Sequence, residues 1–296
     1  MKKYHQSVLL KESIGYLNVK KGERFIDATA GGGGHTFEIL RLGGKVLAID
    51  RDPKSIEHIK KKVKSQKSKV KSIEELVLVV GNFNQVGEIA RKNGFGKVDG
   101  ILFDLGVSSY QLEEAQRGFS FQKSGPLDMR MDPKLTINAA DIVNNFNQRR
   151  LNEIFKKFGQ EKFSWPIANA IIRARQIKSF ETTEELANVA REVYRKFKVQ
   201  TNIDPATKVF QSLRIVINSE LLNLEEALPQ TVNLLKNNGR LVIISFHSLE
   251  DAIVKRFFKE NKKLKVLTKS PIGPENWEIL QNPRSRSAKL RAAQKI

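Results

Sequence analysis

Apolar residues fall in short blocks through the first hundred positions: Phe25-Ile26, Val46-Leu47-Ala48-Ile49, Leu76 to Val80 and Ile101-Leu102-Phe103, with polar stretches of helical length between them. Uninterrupted apolar blocks of this length are the mark of strands covered on both faces. The spacing predicts strands over 24–30, 45–50, 76–80 and 98–104, alternating with helices in the rhythm of a doubly wound parallel α/β sheet. Pro53 suits a first helical turn, and the helix it opens is expected to decay into the basic run Lys60, Lys61, Lys62, Lys64, Lys67, Lys69 and Lys71. That run reads first as a solvated face and only second as an RNA contact.

Beyond Asp104 the period changes to 3.6. Leu151, Ile154, Phe155 and Phe158 share one helix face, Ser164-Trp165-Pro166 is a start signal, and Thr182-Thr183-Glu184-Glu185 is a capping box. A long helix over 205–222 and a strand over 239–246 then restore the α/β rhythm, followed by a helix from about Ser248. The expected organisation is one α/β core formed by 1–107 and 205–296, split by a helical insertion over 108–204.

The chemistry centres on the corner where the first strand, ending at Asp27, runs into Gly31-Gly32-Gly33-Gly34-His35. Four positions without β-carbons let a ligand lie against backbone N–H groups at a helix start. Asp50 ends the next strand, where a carboxylate accepts ribose hydroxyls. A dinucleotide fingerprint needs a third glycine at Thr36 or Phe37, and a phosphate-cradling loop needs a lysine after Gly34; both are missing. A nucleoside without a pyrophosphate remains. Asp27 beside it suits an ammonium or sulfonium, and S-adenosylmethionine carries both.

In an open parallel sheet the ligand lies beyond the carboxyl ends of the strands. Those ends also supply Phe83, placed to stack on an adenine or to pack in the core, and Asp104 to Ser109. A cytosine or adenine amino group is a poor nucleophile, so acceptors must hold its N–H groups; Asp104 and Ser108 are the candidates. His247, after the last strand, is read either as a proton carrier or as a tie between strand and helix. Arg130 either clamps an RNA phosphate or pairs with Asp128 and Asp132, the pairing being favoured. The acceptor atom stays open at this level.

Composition narrows the partners. Lys and Arg number 52 against 32 Asp and Glu, a net charge of +20 that points to a polyanion. Zero cysteines exclude disulfides and thiolate metal sites, and four scattered histidines give no ligand spacing, so no metal is expected. The first residues lack a signal-peptide core and no apolar run reaches membrane-spanning length; a cytoplasmic protein without membrane contact is expected. Residues 282–295 hold five positive charges and no acid, which reads equally as a disordered tail or an ordered phosphate-binding segment.

Several ordered segments carry a resemblance: His5-Gln6-Ser7-Val8-Leu9-Leu10, the Gly-Gly-His corner, Ala48-Ile49-Asp50-Arg51-Asp52-Pro53, Asp104 to Leu112, Arg117 to Phe121 and Gly125 to Asp132. Pro205 to Ile215, Ile244 to Asp251 and Asn282 to Ser287 extend it over nearly the whole chain. Together they resemble the bacterial MraW family of ribosomal RNA small subunit methyltransferases. The resemblance implies a Rossmann-like class I methyltransferase core with an inserted helical lid or substrate domain. It also implies N4-methylation of a decoding-centre cytidine in 16S rRNA with S-adenosylmethionine as donor. It carries cofactor contacts onto Gly33, Gly34, His35, Asp50, Phe83, Asp104 and Gln111. Lys208 stands where the family usually has arginine, Tyr110 where the loop is commonly smaller or proline, and the segment before Leu264 is short. A reading from another class, an RNA-binding assembly factor keeping the corner as a relic, is opposed by intact Asp27, Asp50 and Asp104. Monomer and homodimer are both compatible with the sequence.

Overall fold

The computed structural model describes residues 7–65 and 75–296; His5, Gln6, Lys67, Lys69 and Lys71 lie outside the described residues. The chain forms two compact units, Met1–Ser108 with Leu221–Ile296, and Ser109–Glu220. The expected boundary at 204/205 thus falls sixteen residues later, because the helix after Pro205 packs with the helices of the insertion.

The first unit opens with α1 (Leu10–Leu17), β1 (Arg24–Asp27), α2 (Gly34–Arg41), β2 (Lys45–Asp50), α3 (Pro53–Ser65), β3 (Leu76–Val80), α4 (Val86–Lys92) and β4 (Val98–Asp104). The helical unit follows with α5 (Ser109–Glu113), α6 (Ala139–Asn145), α7 (Gln148–Gly159), α8 (Ser164–Ile177), α9 (Thr183–Lys196) and α10 (Ala206–Ile217). The chain then returns through α11 (Glu220–Leu234), β5 (Leu235–Ser245), α12 (Ser248–Glu260), β6 (Leu264–Val266), α13 (Asn276–Gln281) and β7 (Lys289–Lys295).

The seven strands of the described residues form one sheet in the order β3-β2-β1-β4-β5-β7-β6. The first five are parallel, and β7 runs antiparallel between β5 and β6. Successive residues alternate between the two faces, as the strand period of two demands. Ile26, Leu47, Ile49 and Phe103 face one apolar layer with Val86, Leu228 and Phe258. Phe25, Val46, Ala48 and Leu102 face the other with Leu17, Ile39 and Ile59. The strand order reverses between β1 and β4, which places a ligand crevice at the ends of these strands.

Three expectations change. Helix α3 keeps its form through Lys60–Lys64 because Val63, 7 % exposed, anchors that turn. The helix expected over 205–222 breaks at Ser219, whose φ is 49°: Asn218 turns its amide inward, donating to the Met129 carbonyl and accepting from Met131 N–H, both at 2.8 Å. The basic stretch 282–295 is ordered rather than a tail. Its second half is β7, with Leu290, Ala292 and Ala293 buried, and Arg291 pairs with Asp251 at 2.6 Å.

In the helical unit the capping box predicted at Thr182 is present, with Glu185 reaching back to the Thr182 N–H. Leu151, Ile154 and Phe155 are buried while Phe158 is only half-buried. Arg130 pairs with Asp128 at 2.7 Å, as favoured, and holds its own loop through the Leu135 carbonyl. Among the described residues no helix is long and apolar enough to cross a membrane.

Candidate active site

The glycine corner is built as the sequence requires. Gly33 takes φ 79°, a left-handed conformation, at the start of α2, and a β-carbon there would strike the Phe37 ring and Ile59. A β-carbon on Gly34 would overlap the Ser7 hydroxyl. The corner is fastened at its other end by Asp50: Gly31 N–H donates to its Oδ2 at 2.7 Å and Asp52 N–H to its Oδ1 at 2.8 Å. Each Asp50 oxygen keeps a further lone pair, enough for a pair of hydroxyls. Burial pushes its pKa up to about 6, against the lowering effect of the two N–H groups.

Asp27, expected to face a cation, has a different task. Only 1 % exposed, it accepts from Thr36 Oγ1 at 2.6 Å and from Thr29 N–H at 3.2 Å, so it ties α2 to the end of β1. Its pKa is also pushed up to about 6, by burial first and by Asp50 among the smaller causes. Thr29 carries the tie across the switch point, its hydroxyl accepting from Asp104 N–H at 2.6 Å. Neither threonine stands out in the sequence, because a hydroxyl beside an Asp at a strand end is common in turns.

Asp104 is the group left over. Its side chain is 13 % exposed, Oδ2 lies 3.7 Å from His35 Nδ1, and the buried Oδ1 has no hydrogen-bond partner among the described residues. Burial, then the charges of Asp27, Glu250 and Glu278, raise its pKa well above the usual carboxylate range. A carboxylate crowded by three others without a matching cation is a receptor for a positively charged ligand. Glu250 and Glu278 had no part in the sequence expectation; both are buried acids in helices, and only the fold brings them to this place.

The remaining candidates divide. Ser108 follows β4, and a β-carbon on Gly31 would come 3.9 Å from that of Ser108, so loop and corner adjoin. Phe83 is half-buried and meets Phe103 edge to face, ring centroids 5.5 Å apart. His247 caps α12: its Nδ1 accepts from Glu250 N–H at 3.4 Å, and its Nε2 lies 3.3 Å from Glu250 Oε1. Glu250 in turn accepts from Phe246 N–H at 2.9 Å, so the strand-to-helix tie considered for His247 is present. Gln111 belongs to the helical unit, on α5, and is 4 % exposed.

Comparison with known proteins agrees with this geometry. The MraW methylase family matches residues 2–296. The ribosomal RNA small subunit methyltransferase H of Halothermothrix orenii is 42 % identical over 99 % of this chain and 98 % of its own. That of Sulfurihydrogenibium sp. is 43 % identical over 99 % of both chains. Among solved structures, an rRNA methylase from Streptococcus thermophilus superposes with a TM-score of 0.47 and 12 % identity over 98 % of each chain, too loosely to add to the fold described above. A family match over almost the full length, with relatives this similar from end to end, shows that the chain belongs to the MraW methylase family.

Proposed function

We propose that this protein methylates the N4 amino group of a decoding-centre cytidine, at the P site, in the 16S rRNA of the small ribosomal subunit, using S-adenosyl-L-methionine. The observation that carries the reading is Asp104, a buried acid with an unpartnered oxygen, crowded by other acids beside a left-handed glycine corner. Membership of the family supports the acceptor, since the relatives are named as small subunit rRNA methyltransferases.

The residues fit such a donor group by group. Asp104 takes the ammonium, the free lone pairs of Asp50 take the ribose hydroxyls, and the backbone of Gly33, Gly34 and His35 lines the amino-acid end. Phe83 packs on the adenine. When bound, the donor supplies a methyl group on a positively charged sulfur. The chain's own task is alignment, worth about 7–11 kcal/mol of barrier in well-oriented reactions. Ser108 holds an amino N–H of the cytosine as the nitrogen loses its conjugation with the ring. His247 is the candidate proton carrier, with Glu250 Oε1 3.3 Å from its Nε2.

The target amino group must stand outside a base stack, so a single-stranded or flipped cytidine in the assembled subunit is the substrate. Substrate binding is assigned to the helical unit and the basic surface, with a steep dependence on salt. The reaction belongs to the cytoplasm, where subunits assemble. The test is incubation of the protein with methyl-labelled S-adenosylmethionine and small subunits from a strain lacking this modification. Label is expected in N4-methylcytidine of 16S rRNA; its absence there, or its appearance in another nucleoside, overturns the reading.

A further inference from the structure

We infer that the segment Ser7–Leu9 forms a wall of the donor site, with Ser7 a binding residue for the donor's carboxylate and Glu278 the positioning residue that holds the segment in place. The inference rests on the donor reading above. Ser7, Val8 and Leu9 are 8 %, 5 % and 0 % exposed. The Ser7 side chain lies directly on the Gly34 α-carbon, where a β-carbon would overlap its hydroxyl. Gly34 is the first residue of α2, and His35 beside it lies 3.7 Å from Asp104.

What fixes the segment comes from the far end of the sequence. Leu9 takes φ 50°, a left-handed conformation that leucine adopts only when its surroundings impose it. Its N–H donates to Glu278 Oε1 at 2.8 Å in a buried bond spanning 269 positions. Glu278 is 4 % exposed, and the bond places its charge at the start of α1, where an anion is favoured. Its neighbours in charge are Glu12 and Glu275, both acids, and it is one of the groups acting on Asp104. The latch and the cation receptor therefore share one locality.

The chemistry is complementary. The amino-acid end of the donor carries an ammonium and a carboxylate. Asp104 matches the first; the second needs donors, and a hydroxyl beside the first N–H groups of α2 supplies them. Ser7 and Glu278 thus act on one ligand, Ser7 by contact and Glu278 through the backbone of Leu9.

Calorimetry with the full-length protein and S-adenosylmethionine tests this, together with KM values for the donor and for the small subunit. Ser7→Ala and Glu278→Ala are each expected to weaken donor binding about tenfold, the usual cost of a hydrogen bond to a charged group. Glu278→Gln, whose amide oxygen still accepts from Leu9 N–H, is expected to restore most of the affinity. The KM for the donor should rise and that for the subunit stay. The inference is overturned when Ser7→Ala and Glu278→Ala bind the donor within twofold of wild type, including the case where Glu278→Ala lowers only the melting temperature. Should Glu278→Ala not fold, Ser7→Ala decides alone. A wild-type protein that binds no donor removes the reading beneath it instead.

Discussion

Two sets of acids, one in each unit, are treated in opposite ways. In the helical unit three have a cation: Arg214 meets Glu220 through two hydrogen bonds of 2.8 and 3.0 Å, Arg191 meets Asp204 at 2.8 and 2.9 Å, and Arg130 meets Asp128, whereas Glu161 accepts from the Tyr194 hydroxyl at 2.7 Å and Phe163 N–H at 2.8 Å. Although burial works against it, Asp128 ends below the usual carboxylate range. At the strand ends of the α/β unit, Asp27, Asp50 and Asp104 are all pushed upward instead. Unfavourable charge of this kind persists where something else benefits from it. The difference separates acids that hold the helices from acids that await a cation.

Two substitutions should pull the comparison apart. The largest effect is expected from Arg214→Ala, which leaves Glu220, 6 % exposed, without its partner; breaking such a pair costs about 3–5 kcal/mol. Urea unfolding would register it as a lower midpoint at unchanged slope, and Arg214→Met with Glu220→Leu should recover much of the loss. Asp104→Asn should do the reverse. Removing a charge that its surroundings oppose leaves the unfolding midpoint equal or higher, while donor binding weakens about 100-fold, within the range for truncating one partner of a buried charge pair. Equal destabilisation by both variants would erase the distinction between the units.

The parts of this pattern legible in the sequence are the parts set locally. Strands β1 to β4 follow from apolar blocks, and the α9 cap from Thr182 and Glu185, because each depends on neighbours a few residues away. Asp50 and Asp104 were identifiable as strand-end acids once the strands were placed. The tail reading of the C-terminal stretch fails because charge dominates its pattern. Arg291 sits among Leu290, Ala292 and Ala293, and only Asp251, forty positions away, makes that arginine compatible with a central strand. Glu250 and Glu278 were invisible for the same reason: their meaning comes from the charges that the fold assembles around Asp104. Asp27 was assigned to the ligand because its sequence position is right, whereas Thr36, nine residues on, takes up its oxygen first.

That last point supports the smallest effect. If Asp27 is a structural acid within the cation-receptive region, removing its hydroxyl donor should alter stability and leave the ligand alone. The folded-state pKa of Asp27, about 6, lies above the ordinary carboxylate value of 3.8, so the folded protein binds the proton more tightly than the unfolded chain. Its contribution is therefore most favourable at low pH, declines as pH rises from about 4 to about 6, and is flat above. Thr36→Val deletes the bond that favours the carboxylate, so the folded pKa rises further and the decline continues beyond pH 6. At pH 8 the variant should be less stable by about 2 kcal/mol, typical of a hydrogen bond to a charged group; at pH 4, where Asp27 is protonated in the fold, by clearly less. Urea midpoints measured from pH 4 to 8 give the two curves, and donor affinity at pH 8 should stay within twofold of wild type. A tenfold loss of donor binding in Thr36→Val would instead join Asp27 to Asp104 as a ligand group and move the boundary between the two kinds of acid into the β1 corner itself.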